Sequence, residues 1–383
     1  MNIDDIRTVA VVGAGAMGHG IAEVAMIADY RVNLYDIDQE FVDGAEQRIW
    51  QSLDKLVSKG KVPAEQYEKI KNELFRKTVD LAEAVKDADL VIEAAPEMLD
   101  IKNRVFGELD RLAPERALLA SNTSTMSITQ IGRATARSGK VLGLHYFNPA
   151  VIMKLVEVVR GDWTSEETIR IGLDFVKKNN KVPVLVKKDV PGFIANRVNA
   201  PVSVLIGAMI ESREMEPEEV DAFVRSLGAP MGPCELVDYT GVDTNVNMSR
   251  YLAVNVHSDY AAPPHLVRML DEGNLGKKTG KGYFDWSEGR PKIDRSKATD
   301  KLAPMDIVAV QVNEATKLIE MDVCSADDVD LALTNSGGNP IGPMNVAQEI
   351  EPFDLAQRLE RLANRYKKEI FNPTQMIRKG RYR

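Results

Sequence analysis

The chain has 383 residues, of which 44% are hydrophobic and 28% are charged, and its formal net charge is −8. This composition is typical of a globular protein with two or three domains. The acidic balance argues against nucleic-acid binding, because a phosphate backbone attracts basic surfaces. No apolar run approaches the ~18 residues of a membrane span, and the first strand begins within about six residues, which leaves no room for a targeting peptide. We therefore expect a cytoplasmic protein without a membrane partner.

The first strand leads directly into a glycine fingerprint, IRTVAVVGAGAMGHG, with Gly13, Gly15 and Gly18 in G-x-G-x-x-G spacing. The first glycine permits a tight turn, the second lets the backbone approach a pyrophosphate, and the third allows close packing of helix on strand. A helix is expected to begin near Ala16 and Met17, with its free N–H groups directed at the phosphates. The pattern predicts a dinucleotide site.

An acidic residue, Asp36, ends the second strand, VNLYD. Its carboxylate could accept hydrogen bonds from both hydroxyls of an adenosine ribose, and its charge would repel a 2′-phosphate. No arginine follows it before Arg48. The sequence therefore predicts NAD rather than NADP as the cofactor.

Strands and helices alternate up to about residue 187, which predicts an α/β fold with a doubly wound, Rossmann-type sheet in residues 1–188. Residues 39–77 are too long for one crossover and are predicted to form a helical hairpin that projects from the sheet. The predicted strands are RTVAVVG, RVNLYD, ADLVIEAA, ALLASN, KVLGLHYF, KLVEVVR and VPVLVK.

The remainder of the chain is predicted to be all-helical, starting with VPGFIANRVNAPVSVLIGAMIESREM and a proline at the helix start. The segment EPEEVDAFVRSLGAPMGPCELVD resembles SADDVDLALTNSGGNPIGPMNVAQ, with one inserted residue. We interpret the similarity as a duplicated helical domain, in residues 189–290 and 300–383. The alternative is that two helical hairpins have converged on similar capping residues.

The main catalytic candidate is His145, which ends the strand KVLGLH at the carboxyl edge of the sheet, where open α/β folds bind ligands. Glu157 lies in the apolar strand KLVEVV, where a carboxylate is costly to bury without a partner. Bonded to one imidazole nitrogen, it would leave the other nitrogen to take a proton from a substrate hydroxyl. A structural histidine is the alternative, and His19, on the cofactor helix, is the rival base.

The segment ASNTSTMSI places Asn122 and Ser124 at the carboxyl end of another strand. Because Ser, Thr and Asn commonly cap helices, a helix cap is the alternative interpretation. We interpret Ser124 as a donor to a substrate oxygen and not as a nucleophile, since the chain has no G-x-S-x-G elbow. The stretch GKKTGKG does not have P-loop spacing and is expected to be a turn.

The two cysteines, Cys234 and Cys324, are too few for a disulfide framework and lack partners at metal-ligand spacing. We expect buried thiols and no metal site.

Taken together, eight ordered motifs between about residues 6 and 286 resemble those of the NAD-dependent 3-hydroxyacyl-CoA dehydrogenases. They are GAGAMGHGIA, LYDID, VIEAAPEMLDIK, SNTSTMSI, GLHYFNPAVIMKLVEVV, DVPGFIANR, PMGPCELVDYTGVD and GKKTGKGYFDW. The resemblance implies interconversion of (S)-3-hydroxyacyl-CoA and 3-oxoacyl-CoA with NAD, in fatty-acid β-oxidation or butyryl-CoA metabolism.

The resemblance also implies roles for individual residues. His145 would be the general base and Glu157 its orienting partner, with Ser124 and Asn196 positioning the substrate. The cofactor-binding set would add Glu97, Lys102 and Asn122 to the glycine turn and Asp36. The CoA moiety would meet the predicted hairpin, where Lys55, Lys59 and Lys61 are the candidates for its phosphates; by itself this stretch is typical of a solvated helix face.

The chain departs from single-function members of that family by continuing into the second helical copy, which lacks an equivalent of Asn196. Multifunctional fatty-acid oxidation enzymes share this feature, and there the second copy packs where a partner subunit would. The resemblance therefore implies a monomer or a weak homo-oligomer. The basic end FNPTQMIRKGRYR resembles a linker to an enoyl-CoA hydratase domain, to which the chain could be fused or bound.

Two other functions fit the same residues. A dehydrogenase of a free hydroxy acid, of the L-carnitine or L-gulonate type, shares the cofactor and the His–Glu chemistry but needs no hairpin for CoA. A catalytically silent dinucleotide-binding module of a larger complex would have no need for Ser124, His145, Glu157 and Asn196 together.

Overall fold

The computed structural model describes residues 2–337 and 340–382, which form two compact units. The first unit comprises residues 2–193 with 335–337, and the second comprises 194–334 and 340–382. The division falls a few residues after the predicted boundary at 188–189. Gly192 and Phe193 have φ angles of 77° and 53°, so the chain turns here. The prediction that a proline starts the next helix is wrong, because the helix begins only at Ala195.

The first unit is built on an eight-stranded sheet with the order β3-β2-β1-β4-β5-β6-β7-β8. All neighbouring strands are parallel except β6 and β7, which are antiparallel. The strands are β1 (Thr8–Val12), β2 (Arg31–Tyr35), β3 (Phe75–Thr78), β4 (Leu90–Glu93), β5 (Leu118–Ser121), β6 (Val141–Tyr146), β7 (Leu155–Val159) and β8 (Val182–Val186). The predicted doubly wound α/β fold is confirmed.

Helices flank this sheet in the first unit and make up most of the second. In the first unit they are α1 (Gly18–Ile27), α2 (Gln39–Ser58), α3 (Ala64–Lys69), α4 (Leu81–Val85), α5 (Leu99–Leu112), α6 (Ile128–Gly132) and α7 (Glu166–Lys178). The remaining helices are α8 (Ala195–Glu211), α9 (Pro217–Ser226), α10 (Pro233–Thr240), α11 (Val242–Asn255), α12 (Pro264–Asp271), α13 (Pro304–Glu320), α14 (Ala326–Ser336), α15 (Pro343–Ala347), α16 (Pro352–Tyr366) and α17 (Gln375–Arg378). No helix in the described residues combines the length and apolar composition that a membrane span requires.

The predicted hairpin of residues 39–77 needs two corrections. Its last residues belong to β3, a four-residue edge strand whose charged sequence, FRKT, gives no apolar signal. In addition, α2 does not simply project from the sheet. Its buried residues belong to the same hydrophobic core as α1 and the strands. These are Val42, Ala45, Ile49 and Leu53.

The two parts of the second unit repeat one arrangement of helices. Helices α8 and α13 both have 17 residues, and a ten- or eleven-residue helix follows each of them. Asp221 on α9 accepts hydrogen bonds from the first free N–H groups of α10, and Asp330 on α14 does the same for α15. A Cβ at Gly232 or Gly342 would collide with the aspartate of its own half. Both glycines therefore allow the aspartate to reach the next helix.

The C-terminal residues are folded against the second unit, contrary to their resemblance to a linker. Phe371 and Ile377 are fully buried, and the Tyr382 hydroxyl donates to the Ile350 carbonyl at 2.8 Å. Ile377 is the buried residue that anchors the short helix α17.

Candidate active site

The glycine turn between β1 and α1 has the geometry that a dinucleotide requires. Gly13 has a φ of +108°, and a Cβ there would lie 2.5 Å from the Ala94 carbonyl oxygen. A Cβ at Gly18 would lie 1.7 Å from the Gly13 oxygen, whereas the space beside Gly15 is open. The regular helix begins at Gly18, slightly later than predicted, after a turn at Ala16 and Met17. The open backbone at Gly15 and the helix N-terminus fit a pyrophosphate.

Asp36 closes this turn from the end of β2. Its carboxylate accepts hydrogen bonds from the N–H groups of Ala14 at 2.7 Å and Ile37 at 2.8 Å. Arg48, which sequence spacing had set aside, reaches back from α2 and donates to the Ala14 carbonyl at 2.9 Å. Helix packing thus brings a guanidinium to the glycine turn although it is distant in sequence.

A buried network of charges lies at the carboxyl ends of β4 and β5. Glu93 is fully buried and accepts hydrogen bonds from the Lys102 ammonium at 2.8 Å and the Ser121 hydroxyl at 2.6 Å. Lys102 also lies 3.2 Å from the Glu97 carboxylate. Burial acts to raise the pKa of Glu97, but Lys102 and hydrogen bonds from Thr123 and Ser124 lower it overall. The lysine is therefore a shared counterion.

This network orders the loop that carries Ser124. Glu97 accepts hydrogen bonds from the Thr123 hydroxyl at 2.6 Å and from the Ser124 N–H at 2.9 Å. The helix cap is Ser127, whose side chain accepts from the Gln130 N–H, and not Ser124. Asn122 accepts from the Tyr146 N–H at 2.8 Å and so ties the end of β5 to that of β6. The capping alternative does not apply to Ser124.

The structure joins His145 and Glu157 directly. They are opposite each other in the antiparallel register of β6 and β7, which explains their spacing in sequence. The His145 Nδ1 lies 2.7 Å from the Glu157 Oε2, and both side chains are almost completely buried. The carboxylate fixes the tautomer with the proton on Nδ1, so that Nε2 carries a lone pair able to accept a proton.

Two aromatic rings hold the imidazole of His145. The ring centroids of Phe147 and Phe193 lie 4.4 and 5.6 Å from that of His145. Phe193 has a φ of 53°, a conformation that costs energy in a residue with a side chain. The rival base His19 instead has its Nδ1 2.7 Å from the Gly15 carbonyl oxygen, and burial lowers its pKa. His19 is thus committed to the glycine turn.

Sequence reasoning missed a part-buried lysine, Lys181, behind the loop that joins β6 to β7, and a buried acid, Glu23, whose pKa that lysine influences. The Lys181 ammonium donates to the carbonyl oxygens of Ala150 at 2.6 Å and Met153 at 2.8 Å, both within that loop. Glu23 on α1 is fully buried, and burial raises its pKa to about 7, although the Ser52 hydroxyl and the Lys181 ammonium lower it. The position of Lys181 between α7 and β8 does not indicate in sequence that it supports a loop. The position of Glu23 within the apolar helix α1 does indicate an unusual acid.

The remaining predicted residues belong to other elements of the chain. Lys55, Lys59 and Lys61 are exposed at the end of α2 and in the turn after it. Asn196 is the second residue of α8, in the second unit. Their roles stay predictions.

Comparison with known proteins identifies the family. The family model for the "3-hydroxyacyl-CoA dehydrogenase, NAD binding domain" matches residues 8–190, and the model for its C-terminal domain matches residues 192–286 and 306–382. The chain belongs to the 3-hydroxyacyl-CoA dehydrogenase family. The predicted family and the predicted NAD-binding domain are confirmed.

Individual members of the family are similar over different lengths. A 3-hydroxyadipyl-CoA dehydrogenase of Escherichia coli is 39% identical over 79% of this chain, which spans 64% of that protein. A probable 3-hydroxybutyryl-CoA dehydrogenase of Bacillus subtilis is 37% identical over 74% of this chain and 99% of its own length. The crystal structure of an E. coli 3-hydroxybutyryl-CoA dehydrogenase is 29% identical and covers 98% of both chains with a TM-score of 0.88.

The first prediction concerns the orienting carboxylate. In the Glu157→Gln variant, we expect kcat to fall by about 10²- to 10⁴-fold, because an amide neither fixes the required tautomer nor stabilises the imidazolium. Steady-state kinetics and thermal melting would measure this. The matched control is Glu166→Gln, since Glu166 is an exposed acid paired with Arg160 just after β7. Turnover within threefold of wild type would contradict an orienting role.

The second prediction concerns the buried acid Glu23. Its pKa of about 7 in the folded state lies above the ordinary value of 4.5, so the folded state holds a proton that the unfolded state releases. The free energy of unfolding should therefore fall as pH rises from about 5 to 7.5, by about 2 to 3 kcal/mol more in wild type than in Glu23→Gln. Urea denaturation at both pH values measures the difference.

The matched control for this measurement is Glu65→Gln, on an exposed face of α3. It should keep the pH dependence of the wild type. Equal slopes in wild type and Glu23→Gln would show that the acid ionises normally in the folded protein.

Proposed function

We propose that this chain interconverts (S)-3-hydroxyacyl-CoA and 3-oxoacyl-CoA thioesters, with NAD as the hydride acceptor or donor. The observation that carries the proposal is the buried pair of His145 and Glu157, with 2.7 Å between Nδ1 and Oε2. A fully buried carboxylate that fixes one tautomer of a histidine is the arrangement of a general base, as in other hydride and acyl-transfer enzymes. The names of the relatives support the thioester class.

In the oxidation direction, Nε2 of His145 takes the proton of the 3-hydroxyl group. As the hydride leaves C3, the single bond between C3 and its oxygen becomes the double bond of a ketone. The carboxylate of Glu157 stabilises the imidazolium that forms. NAD, when bound at the glycine turn, supplies the hydride-accepting ring. In reduction, the imidazolium returns the proton to the substrate oxygen.

Other residues would bind and orient the reactants. Ser124 lies on the loop that Glu97 orders, and in this proposal its hydroxyl donates to the substrate oxygen. Asn196 would donate a second hydrogen bond to the substrate. The exposed lysines at the end of α2 would meet the CoA phosphates, which prefer a local basic surface on an acidic protein.

The third prediction is the substrate test. Wild-type protein should oxidise NADH with acetoacetyl-CoA and not with free acetoacetate, and His145→Ala should lose this turnover by about 10³-fold or more. The readout is NADH absorbance, with NADH binding of the variant measured by fluorescence as the control for folding. Turnover of free acetoacetate would favour a hydroxy-acid dehydrogenase. NADH binding without turnover of either compound would favour a silent module.

We also propose that each chain contains two copies of the helical domain. The protein would be a monomer or a weak homo-oligomer in the cytoplasm. The two matched ranges of the C-terminal family model support duplication, and the packing of α8 on α13 within one chain supports the monomer. The buried cysteines Cys234 and Cys324, which form no disulfide with each other, fit a reducing compartment. Association with an enoyl-CoA hydratase would follow from chemistry, because hydration of an enoyl-CoA supplies the 3-hydroxy substrate.

The fourth prediction is the oligomeric state. Sedimentation velocity at low micromolar concentration should give a main species with the mass of one chain, because α8 already packs on α13. A concentration series would separate weak association from a stable dimer. A tight dimer formed through residues 189–290 would overturn this part of the proposal.

A further inference from the structure

A buried ion pair joins the two halves of the second unit. The Arg197 Nε lies 2.5 Å from the Glu314 Oε1, and the side chains are 6% and 0% exposed. Arg197 is on α8 and Glu314 is on α13, and these two helices pack against each other. The pair therefore connects residues that are far apart in sequence across the centre of this unit.

Further contacts fix both members of the pair. The Lys317 ammonium donates to the other Glu314 oxygen at 2.8 Å and to the Ile370 carbonyl at 2.8 Å. The Arg197 guanidinium lies over the Tyr260 ring, 5.9 Å from its centroid. Burying charges is costly unless the geometry satisfies them, and removal of one partner leaves the other uncompensated. Glu314 thus compensates the charge of a buried arginine.

The two halves do not share this pair. Because α8 and α13 have the same length, Arg197 on α8 corresponds to Asp306 on α13, and Glu314 corresponds to Leu205. Asp306 binds Arg358 at 2.6 Å instead, within its own half. If the α8 helix of a second copy replaced α13, Arg197 would meet Leu205 and remain buried without that carboxylate. The carboxylate that pairs with Arg197 therefore belongs to the second half of the chain.

The arginine is next to a predicted substrate residue. Asn196 precedes Arg197 in the first turn of α8, and the position equivalent to Asn196 on α13 is Met305. A second polar contact, between Gln311 and Asn199 at 2.9 Å, holds the same turn of α8 against α13. Two side chains of α13 therefore hold the first turn of α8 in its position.

We infer that Glu314 is a positioning residue for the acyl-CoA substrate: it holds Arg197, and through it the turn of α8 that presents Asn196. This inference rests on the proposed function and on the role of Asn196 within it. The second half of the chain, which lacks its own asparagine at this position, contributes to substrate binding through one carboxylate. Small displacements of a positioning group lower the catalytic rate strongly even when the chemical groups are intact.

The test uses the full chain and the variant Glu314→Gln. We expect the KM for acetoacetyl-CoA to rise by about fivefold or more and kcat/KM to fall by about tenfold or more. The KM for NADH should stay within about twofold, because the glycine turn lies in the other unit. The matched control is Asp306→Asn, which breaks a polar contact on the same helix without touching Arg197, and it should leave both KM values at the wild-type level.

A purely structural role would give a different result. If Glu314→Gln only reduced the folded fraction, the apparent kcat would fall in proportion to that fraction, as measured by thermal melting, with both KM values unchanged, and that result would overturn the inference. Should Glu314→Gln not fold, the double variant Arg197→Met/Glu314→Met removes both charges of the pair, and the part-exposed Lys317 ammonium keeps its hydrogen bond to the Ile370 carbonyl. It should fold with a raised KM for acetoacetyl-CoA, and a wild-type KM would overturn the inference. An inactive wild type would instead overturn the proposed function, and the inference with it.

Discussion

The antiparallel pairing of β6 with β7 is the constraint on which the candidate active site depends. In a sheet that is otherwise parallel, this one reversal places His145 and Glu157 opposite each other on the same face. Residues in directly opposed positions have their Cβ atoms close together, so a carboxylate can reach an imidazole without distortion. A parallel connection would have put the two side chains at staggered positions. The antiparallel pairing therefore brings two residues that are twelve positions apart in sequence into a direct hydrogen bond.

A second group of charges lies at the same edge of the sheet, and its members compensate one another. Glu93, Lys102 and Glu97 form a chain of contacts that ends on the Ser124 loop. Lys181 supports the loop between β6 and β7 from behind by donating to its carbonyl oxygens. Because each of these carbonyl and carboxylate groups accepts a hydrogen bond, polar contacts hold the ends of the strands in place.

Sequence patterns predicted the residues whose chemistry is local. The glycine spacing, the acid at the end of β2 and the apolar strands each depend on neighbouring residues, so they could be identified before the fold was known. The strand β3 was missed because a four-residue edge strand with two charged residues, FRKT, resembles the end of a helix. Arg48 and Phe193 were missed because their contacts depend on how α2 packs and on an unfavourable backbone angle. Tertiary packing determines the contacts of such residues, and those contacts cannot be inferred from spacing in the sequence.

The helical repeat shows how one architecture can be kept while its chemistry diverges. In each half, an aspartate accepts from the N-terminal N–H groups of the following helix, and a glycine clears the space for it. These contacts lie within each half and are independent of whether a substrate residue occupies α8 or α13. Apolar packing between the two central helices tolerates exchange of side chains of similar volume. The two central helices can therefore carry different polar residues, such as Asn196 on α8 and Glu314 on α13, without loss of the fold.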